Sequence, residues 1–288
     1  MKILITGASG KIGRELTKYL LKKNIYCYLN MRKKINYKKF DNYEIIQCDI
    51  LSKNFYIPED CYGLIHAATV LKKNYNSKSL KKDLIISKKI IQLIKKHKKL
   101  KKIIFLSSAE VYNKNFNINK KINEKSHNFN NHLYAKIKLK SENLFNKIKS
   151  KHVYNLRIPA IIGTLREDNF LTRLAHNYKK LKKIKLYNSS QFFNNILHIN
   201  SLNKFILNLL KNNFKSGLIL LGSEKPVKLK IISQKIENFF NNSSKVFWLN
   251  NQSGFYLDIT NSINNFNFKP MSTIKVLNDY LNASFKKL

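Results

Sequence analysis

The sequence predicts an α/β protein in which a doubly wound parallel sheet carries helices on both faces. Two observations point there. Short apolar runs alternate with helical patterns through the first half of the chain. The first run, Lys2–Thr6, also enters a glycine-rich turn, Gly7-Ala8-Ser9-Gly10-Lys11-Ile12-Gly13, and passes straight into a helical pattern at Ile12, Leu16, Tyr19, Leu20 and Leu21. Strands alternating with helices must bury both faces of a parallel sheet, and right-handed crossovers follow.

The candidate strands of this half are Lys2–Thr6, Ile25–Asn30, Tyr43–Gln47, Gly63–His66, Lys102–Ser107 and Val153–Arg157. Helical patterns lie at Lys11–Lys23, Ser77–His97 and His132–Lys149. The lysine run from Lys95 to Lys102 ends the second helix and enters the next strand, and cations suit the partial negative charge of a helix C-terminus. Asn113–Asn131 is polar and reads as a loop able to cover a site. Beyond Gly163 the pattern is less regular. Asp168–Leu181, Leu202–Leu210, Lys228–Phe240 and Thr273–Phe285 read as helices, and Ile196–Ile199 and Leu218–Leu221 as strands.

The strand, glycine turn and helix have the form of a Rossmann-type dinucleotide site. Glycine lets the backbone turn tightly and approach a pyrophosphate with no side chain in the way. The helix start then offers N–H groups and a partial positive charge to the phosphates. The plainer alternative is a tight βα turn that binds nothing.

A chain of 288 residues with 43% hydrophobic content supports one large domain or two lobes with a real core. No apolar run approaches transmembrane length, so no membrane insertion is expected. The first strand occupies the place of a signal peptide, and Cys27, Cys48 and Cys61 have no metal-like spacing. Both point to reduced thiols and a cytoplasmic protein. The seven histidines form no pair at ligand spacing, so no metal is expected, and His198 reads as structural. The formal charge of +39 comes almost wholly from lysine, alongside abundant Asn and Ile, the signature of an AT-rich coding bias. The lysines are scattered and accompany no nucleic-acid motif, so no nucleic-acid partner is expected. The field still favours polyanionic ligands.

Two segments carry chemistry. Ile103–Tyr112 is an apolar strand ending in Ser107 and Ser108, at the carboxyl edge where open α/β sheets bind ligands. Tyr134 and Lys138 are separated by i, i+4 and share a helix face. A phenol titrates near 10, too high for a base at neutral pH, and a nearby ammonium stabilises its phenolate. Tyr134 is therefore a candidate proton shuttle to a sugar hydroxyl while a nicotinamide moves hydride, and Ser108 a donor to the same oxygen. In a lysine-rich chain, a Tyr and Lys four apart also arise by chance.

With those residues in view, the chain resembles the extended short-chain dehydrogenase/reductases of the NAD-dependent epimerase/dehydratase family. Thr6–Gly13 matches the TGxxGxxG turn, Ser107–Tyr112 the SSxxVY strand, and Tyr134 with Lys138 the YxxxK pair. Cys48-Asp49-Ile50 is similar to the family's adenine-contacting pair, and Leu64-Ile65-His66-Ala67-Ala68 to its fourth-strand motif. Leu156-Arg157-Ile158-Pro159, Asn195–Ile199, Gly222–Val227 and Leu257–Pro270 resemble later family segments, so the likeness runs nearly end to end. It implies hydride chemistry on a nucleotide-activated sugar. Tyr134 would be the acid/base, Lys138 the group holding the nicotinamide ribose, and Ser108 the group orienting the reacting oxygen. The implied cofactor-binding residues are Gly7, Ser9, Gly10, Lys11, Ile12, Gly13, Arg32, Asp49, Ile50, Ala67, Ala68, Tyr134, Lys138 and Pro159.

Three departures qualify the match. The second strand ends in Asn30, Met31 and Arg32 where an NAD site carries an acid, which favours NADP over NAD through a phosphate contact to Arg32. Ser108-Ala109-Glu110 keeps Glu110 open as the extra base of a 4,6-dehydratase or decarboxylase, or as a partner for the lysine-rich loop. Ile137 replaces the small residue usual before the lysine of the pair. The resulting expectation is a dinucleotide domain over 1–162, to which 196–221 returns, and a smaller C-terminal substrate lobe over 163–288, with the active site between them. A nucleotide-sugar epimerase or reductase, moving hydride at a sugar carbinol or ketone, C4 first, and working as a homodimer, is the first reading. A non-catalytic nucleotide- or RNA-binding protein on the same fold is its rival.

Overall fold

A computed structural model of the chain describes residues 1–69, 77–113, 119–127, 129–163, 168–181, 183–241, 244–250 and 254–285. These residues form two compact units. The first comprises Met1–Tyr112, Phe129–Arg157 and Asn203–Ile219, and the second Asn113–Asn128, Ile158–Leu202 and Leu220–Leu288.

The first unit is built on seven strands: β1 (Lys2–Thr6), β2 (Tyr26–Met31), β3 (Tyr43–Gln47), β4 (Gly63–His66), β5 (Lys102–Ser108), β6 (His152–Ile158) and β7 (Gly217–Leu220). They lie in the order β3-β2-β1-β4-β5-β6-β7. The pairs β1–β2, β2–β3, β1–β4 and β4–β5 are parallel, with Thr6 opposite both Asn30 and His66. The winding reverses between β1 and β4, so the carboxyl ends of those two strands bound the crevice where doubly wound sheets take ligands. β1, β4 and β5 are buried along their whole length apart from the Lys2 edge, as a sheet covered on both faces demands.

Helices α1 (Lys11–Leu21), α2 (Ser77–Lys96) and α3 (Leu133–Asn146) cross between these strands. Ile90 and Ile94 of α2 and Phe145 of α3 close over Leu4, Leu64, Ile103 and Phe105 in one apolar cluster. A hydrogen bond of 3.1 Å from Ser87 to Ser141 ties α2 to α3. Lys102 is wholly buried, yet it is satisfied. Its ammonium donates to the carbonyls of Leu209 and Asn212, at the C-terminal end of the Ile199–Lys211 helix where that dipole favours a cation.

The second unit packs the helices Phe170–Lys180, Leu229–Phe240 and Thr273–Phe285 around Leu171, Tyr178, Ile184, Ile232 and Leu277. Short strands pair in twos: Lys183–Tyr187 with Lys245–Leu249, Phe192–Phe193 with Val227–Lys228, and Ile196–His198 with Ala160–Ile162. Lys183–Tyr187 alternates lysine with the buried Ile184 and Leu186, a period-two signal beyond the strands expected from the sequence, whereas the strands of two or three residues are too short to show a period until a partner is known.

The expected loop at Asn113–Asn131 needs correction in its middle. Lys120–Ile122 is a strand paired in parallel with Phe255–Leu257, and Ile122 is fully buried. Glu124 then accepts from the backbone N–H of Leu220 and the side-chain amide of Asn261. Residues 114–118 and 128 of that segment lie outside the described residues.

Asn194 is the polar hub of this unit. Its buried amide donates to the carbonyls of Ser223 and Leu257 and accepts from the N–H of Leu257. Replacing it with alanine leaves buried backbone groups unpaired. Asn194→Ala is therefore expected to cost about 2–3 kcal/mol of stability, read as a lowered urea midpoint.

Candidate active site

Close packing at the end of β1 explains the glycines. Gly7 has a φ of +72°, in the left-handed region that glycine enters without strain. A Cβ there would lie 2.7 Å from the backbone of Ala68. A Cβ at Gly13 would lie 2.2 Å from the carbonyl oxygen of Gly7. The turn thus fits directly against the Ala67-Ala68 segment after β4, and Ala67 N–H donates to the Thr6 carbonyl at 3.2 Å. Gly10 opens α1 and supplies no side-chain cap, so the start of the helix faces outward as bare backbone beside Ser9, Lys11 and Ile12. Arg14 steadies the turn through a 3.2 Å hydrogen bond from its Nε to the Ser9 carbonyl.

At the end of β2 the side chains divide. Asn30 is buried, and its amide donates to the carbonyls of Ile46 and Cys48, so it braces β3. Arg32 is exposed. Asp49 accepts from the Leu51 N–H at 2.9 Å and from Lys82 at 3.3 Å. The Leu51 hydrogen bond first, then Lys82 and Arg32, hold its carboxyl below the usual carboxylate range. Ile50 faces the core.

Tyr134 and Lys138 sit one turn apart on α3. Lys138 is buried and donates to the Leu106 carbonyl of β5 at 3.2 Å. Its Nζ lies 5.0 Å from the centre of the Phe105 ring and 5.8 Å from that of Tyr134. Burial pulls its pKa below the ordinary lysine value, while the carboxylates of Asp83 and Glu142 push back toward the charged form. Tyr134 is half-buried and stacks on His132, which caps α3 by accepting from the Ala135 N–H. Ser108 ends β5 and accepts from the Glu110 N–H at 3.1 Å, which starts the turn Ala109–Val111. Glu110 thereby joins the site through its backbone. Pro159 links β6 to the strand Ala160–Ile162 of the second unit.

Several site neighbours were missed in the sequence. Asp83 on α2 is buried and accepts from the hydroxyl of Thr69 at 2.7 Å. Glu142 follows Lys138 by four residues on α3, a spacing that marks the shared face, yet one more acid among lysines carried no signal alone. His66 is buried, hydrogen-bonded to Thr6 at 2.8 Å, and stacked on Phe105. Burial first, and the charge of Lys138 second, push its pKa down to about 3.

The second unit holds its own cavity of about 820 Å³, lined by Arg173, His176, Tyr187, Gln191, Phe193 and Trp248 among others. His198 is packed within 3 Å of where a Cβ on Gly163 would stand and accepts from the Asn200 N–H. The thiols of Cys27, Cys48 and Cys61 are free. Among the described residues, no helix is long and apolar enough to cross a membrane.

Strand order, turn and helix together define a Rossmann-type doubly wound fold. The chain belongs to the NAD dependent epimerase/dehydratase family, whose sequence model matches residues 3–221. An uncharacterised protein of Methanocaldococcus jannaschii is 24% identical, with 95% of this chain and 92% of that protein aligned. Among solved structures, UDP-glucuronic acid 4-epimerase from Bacillus cereus, in complex with NAD, superposes with a TM-score of 0.79 at 20% identity, covering 99% of this chain and 98% of that one. ADP-L-glycero-D-manno-heptose-6-epimerase from Helicobacter pylori gives 0.77 at 18% identity, covering 98% of this chain and 95% of that one. These likenesses describe the fold.

The neutral state of His66 has a consequence for stability. Its folded pKa lies below its unfolded value, so the unfolded chain binds the extra proton as pH falls from about 6.5 toward 3. Stability from this group is present above that window and lost within it. Wild-type protein should lose up to about 1.4 kcal/mol per pH unit more than His66→Gln in chemical denaturation between pH 6 and 4. Parallel pH profiles for the two proteins would contradict a neutral buried imidazole.

Proposed function

We propose that the protein is an NAD(P)-dependent enzyme acting on a nucleotide-activated sugar, with hydride transfer at a sugar carbinol or ketone, C4 before other carbons. Net epimerisation or ketone reduction follows from the same chemistry. The carrying observation is a buried ammonium, Lys138, one turn from Tyr134 and donating into the strand that ends at Ser108. Family membership agrees with it. Solved relatives in complex with UDP-glucose and NAD, or with UDP-glucuronic acid and NAD, support the substrate and cofactor classes.

The residues fit a dinucleotide. Gly10 leaves the start of α1 exposed and without a side-chain cap, so its N–H groups are open to an anion. Gly7, Ser9, Gly10, Lys11, Ile12 and Gly13 would take the phosphates, Asp49 and Ile50 the adenine end, and Ala67, Ala68 and Pro159 the nicotinamide end. When bound, the nicotinamide ring accepts or returns hydride. Tyr134 takes the proton of the sugar hydroxyl as its carbon loses hydride, and gives it back in reverse. Lys138 stabilises the phenolate by charge and would hold the ribose. Ser108 donates a hydrogen bond to the reacting oxygen as charge develops there.

Arg32 supports NADP as the preferred form. Asn30 is committed to the β3 backbone, and the exposed guanidinium beyond it suits a 2′-phosphate in a bidentate manner.

Tyr134→Phe should lower turnover of UDP-, dTDP- or GDP-sugars by at least about 10²-fold while dinucleotide binding holds. Wild-type turnover in that variant would remove the tyrosine from the chemistry, and RNA retained at physiological salt without turnover would favour the rival reading. Arg32→Ala should weaken NADPH binding about tenfold relative to NADH in parallel fluorescence titrations. Equal losses for both cofactors would take Arg32 out of phosphate recognition.

A further inference from the structure

Behind the Tyr134 and Lys138 face lies a charged group that the reaction as proposed does not use. Glu142 is buried on α3, one turn beyond Lys138. Arg157, at the end of β6, meets its carboxylate with Nη2 at 2.7 Å and Nε at 3.1 Å. The hydroxyl of Ser107, next to Ser108 on β5, donates to the same carboxylate. Arg157 also donates to the Tyr112 hydroxyl at 2.7 Å, and its guanidinium lies over the rings of Tyr112 and Phe129. One carboxylate thus joins the helix bearing the acid/base pair to the two strands that flank it.

We propose that Glu142 is a positioning residue, which fixes α3 against β5 and β6 so that Tyr134, Lys138 and Ser108 keep one mutual geometry. The inference rests on the reading of these three residues as the reacting set. A buried pair of this kind is weak evidence for net stability, because desolvation cancels much of the attraction. Its retention in the interior is better explained by the unique register it imposes. The second contribution is electrostatic. Lys138 is faced by Asp83 from α2, Glu142 from α3, His66 from β4, and the Phe105 ring and Leu106 carbonyl of β5. Of these only Asp83 and Glu142 are anionic, and they oppose the cost of burying the ammonium.

The sign of the effect follows. Removing the Glu142 charge makes Lys138 lose its proton at lower pH, so the alkaline limb of kcat moves toward neutrality.

Three variants test the proposal: Glu142→Gln, Glu142→Asp, and the double variant Glu142→Gln/Arg157→Met, which removes both charges and restores a compatible interior. The expected result for the double variant is wild-type-like thermal stability, kcat lowered about tenfold or more and dinucleotide KM within about threefold, while in Glu142→Gln alone the alkaline limb shifts down. Glu142→Asp keeps the charge and should leave the limb in place. A double variant that regains both stability and kcat would reduce Glu142 to a structural partner of Arg157 and overturn the proposal. Lys138 titration, followed by NMR of 13C-labelled lysine, separates this outcome from failure of the enzymatic reading, since it needs no turnover. A lowered Lys138 midpoint in Glu142→Gln supports the proposal even if no substrate is found, and an unchanged midpoint rejects it.

Discussion

A buried ammonium governs this first unit. Lys138 has left water for a place between α3 and β5, where the Leu106 carbonyl accepts a hydrogen bond from it and the Phe105 ring faces it. Such a charge is tolerable only with compensation, and the molecule supplies it from two helices. Asp83 and Glu142 both act on it, and His66, which would add a like charge, is kept neutral by burial in the same apolar setting. The positions of α2, α3, β4 and β5 are thereby coupled through one side chain. Polar satisfaction, rather than apolar packing, sets the local geometry where the candidate reacting groups stand.

The opposite end of the candidate cofactor site obeys a steric constraint instead. At Gly7 and Gly13 the backbone is packed against itself so closely that any Cβ would collide with main-chain atoms, which have nowhere to go. The start of α1 is left bare of side-chain capping by Gly10. A steric cradle after β1 and an electrostatic centre between α3 and β5, with β4 between those two strands of one sheet, are what the strand order with its reversal between β1 and β4 brings together.

The high positive charge takes on a more limited meaning in this setting. Most lysines are exposed, but Lys102 and Lys138 are not, and each is matched to specific oxygen acceptors. Composition could not separate these two from the rest. Burial does so, and it also distinguishes Asn30, which braces β3, from Arg32, which faces solvent.

By itself the sequence determined the alternation of strands and helices, the glycine turn and its place after β1, and the family likeness that the turn, the strand serines and the Tyr134–Lys138 spacing convey. These are local or strictly periodic properties, written in consecutive residues, and four strands or helices have the very limits read from the pattern. Only the tertiary structure decided the rest. The two- and three-residue strand pairs of the second unit, including Lys120–Ile122 inside an expected loop, are too short to carry a period and exist because a distant segment hydrogen-bonds to them. The joining of Ser107, Glu142 and Arg157 likewise depends on residues far apart in the chain. Their chemistry arises from shared burial, a property that belongs to the packed interior and not to any one stretch of sequence.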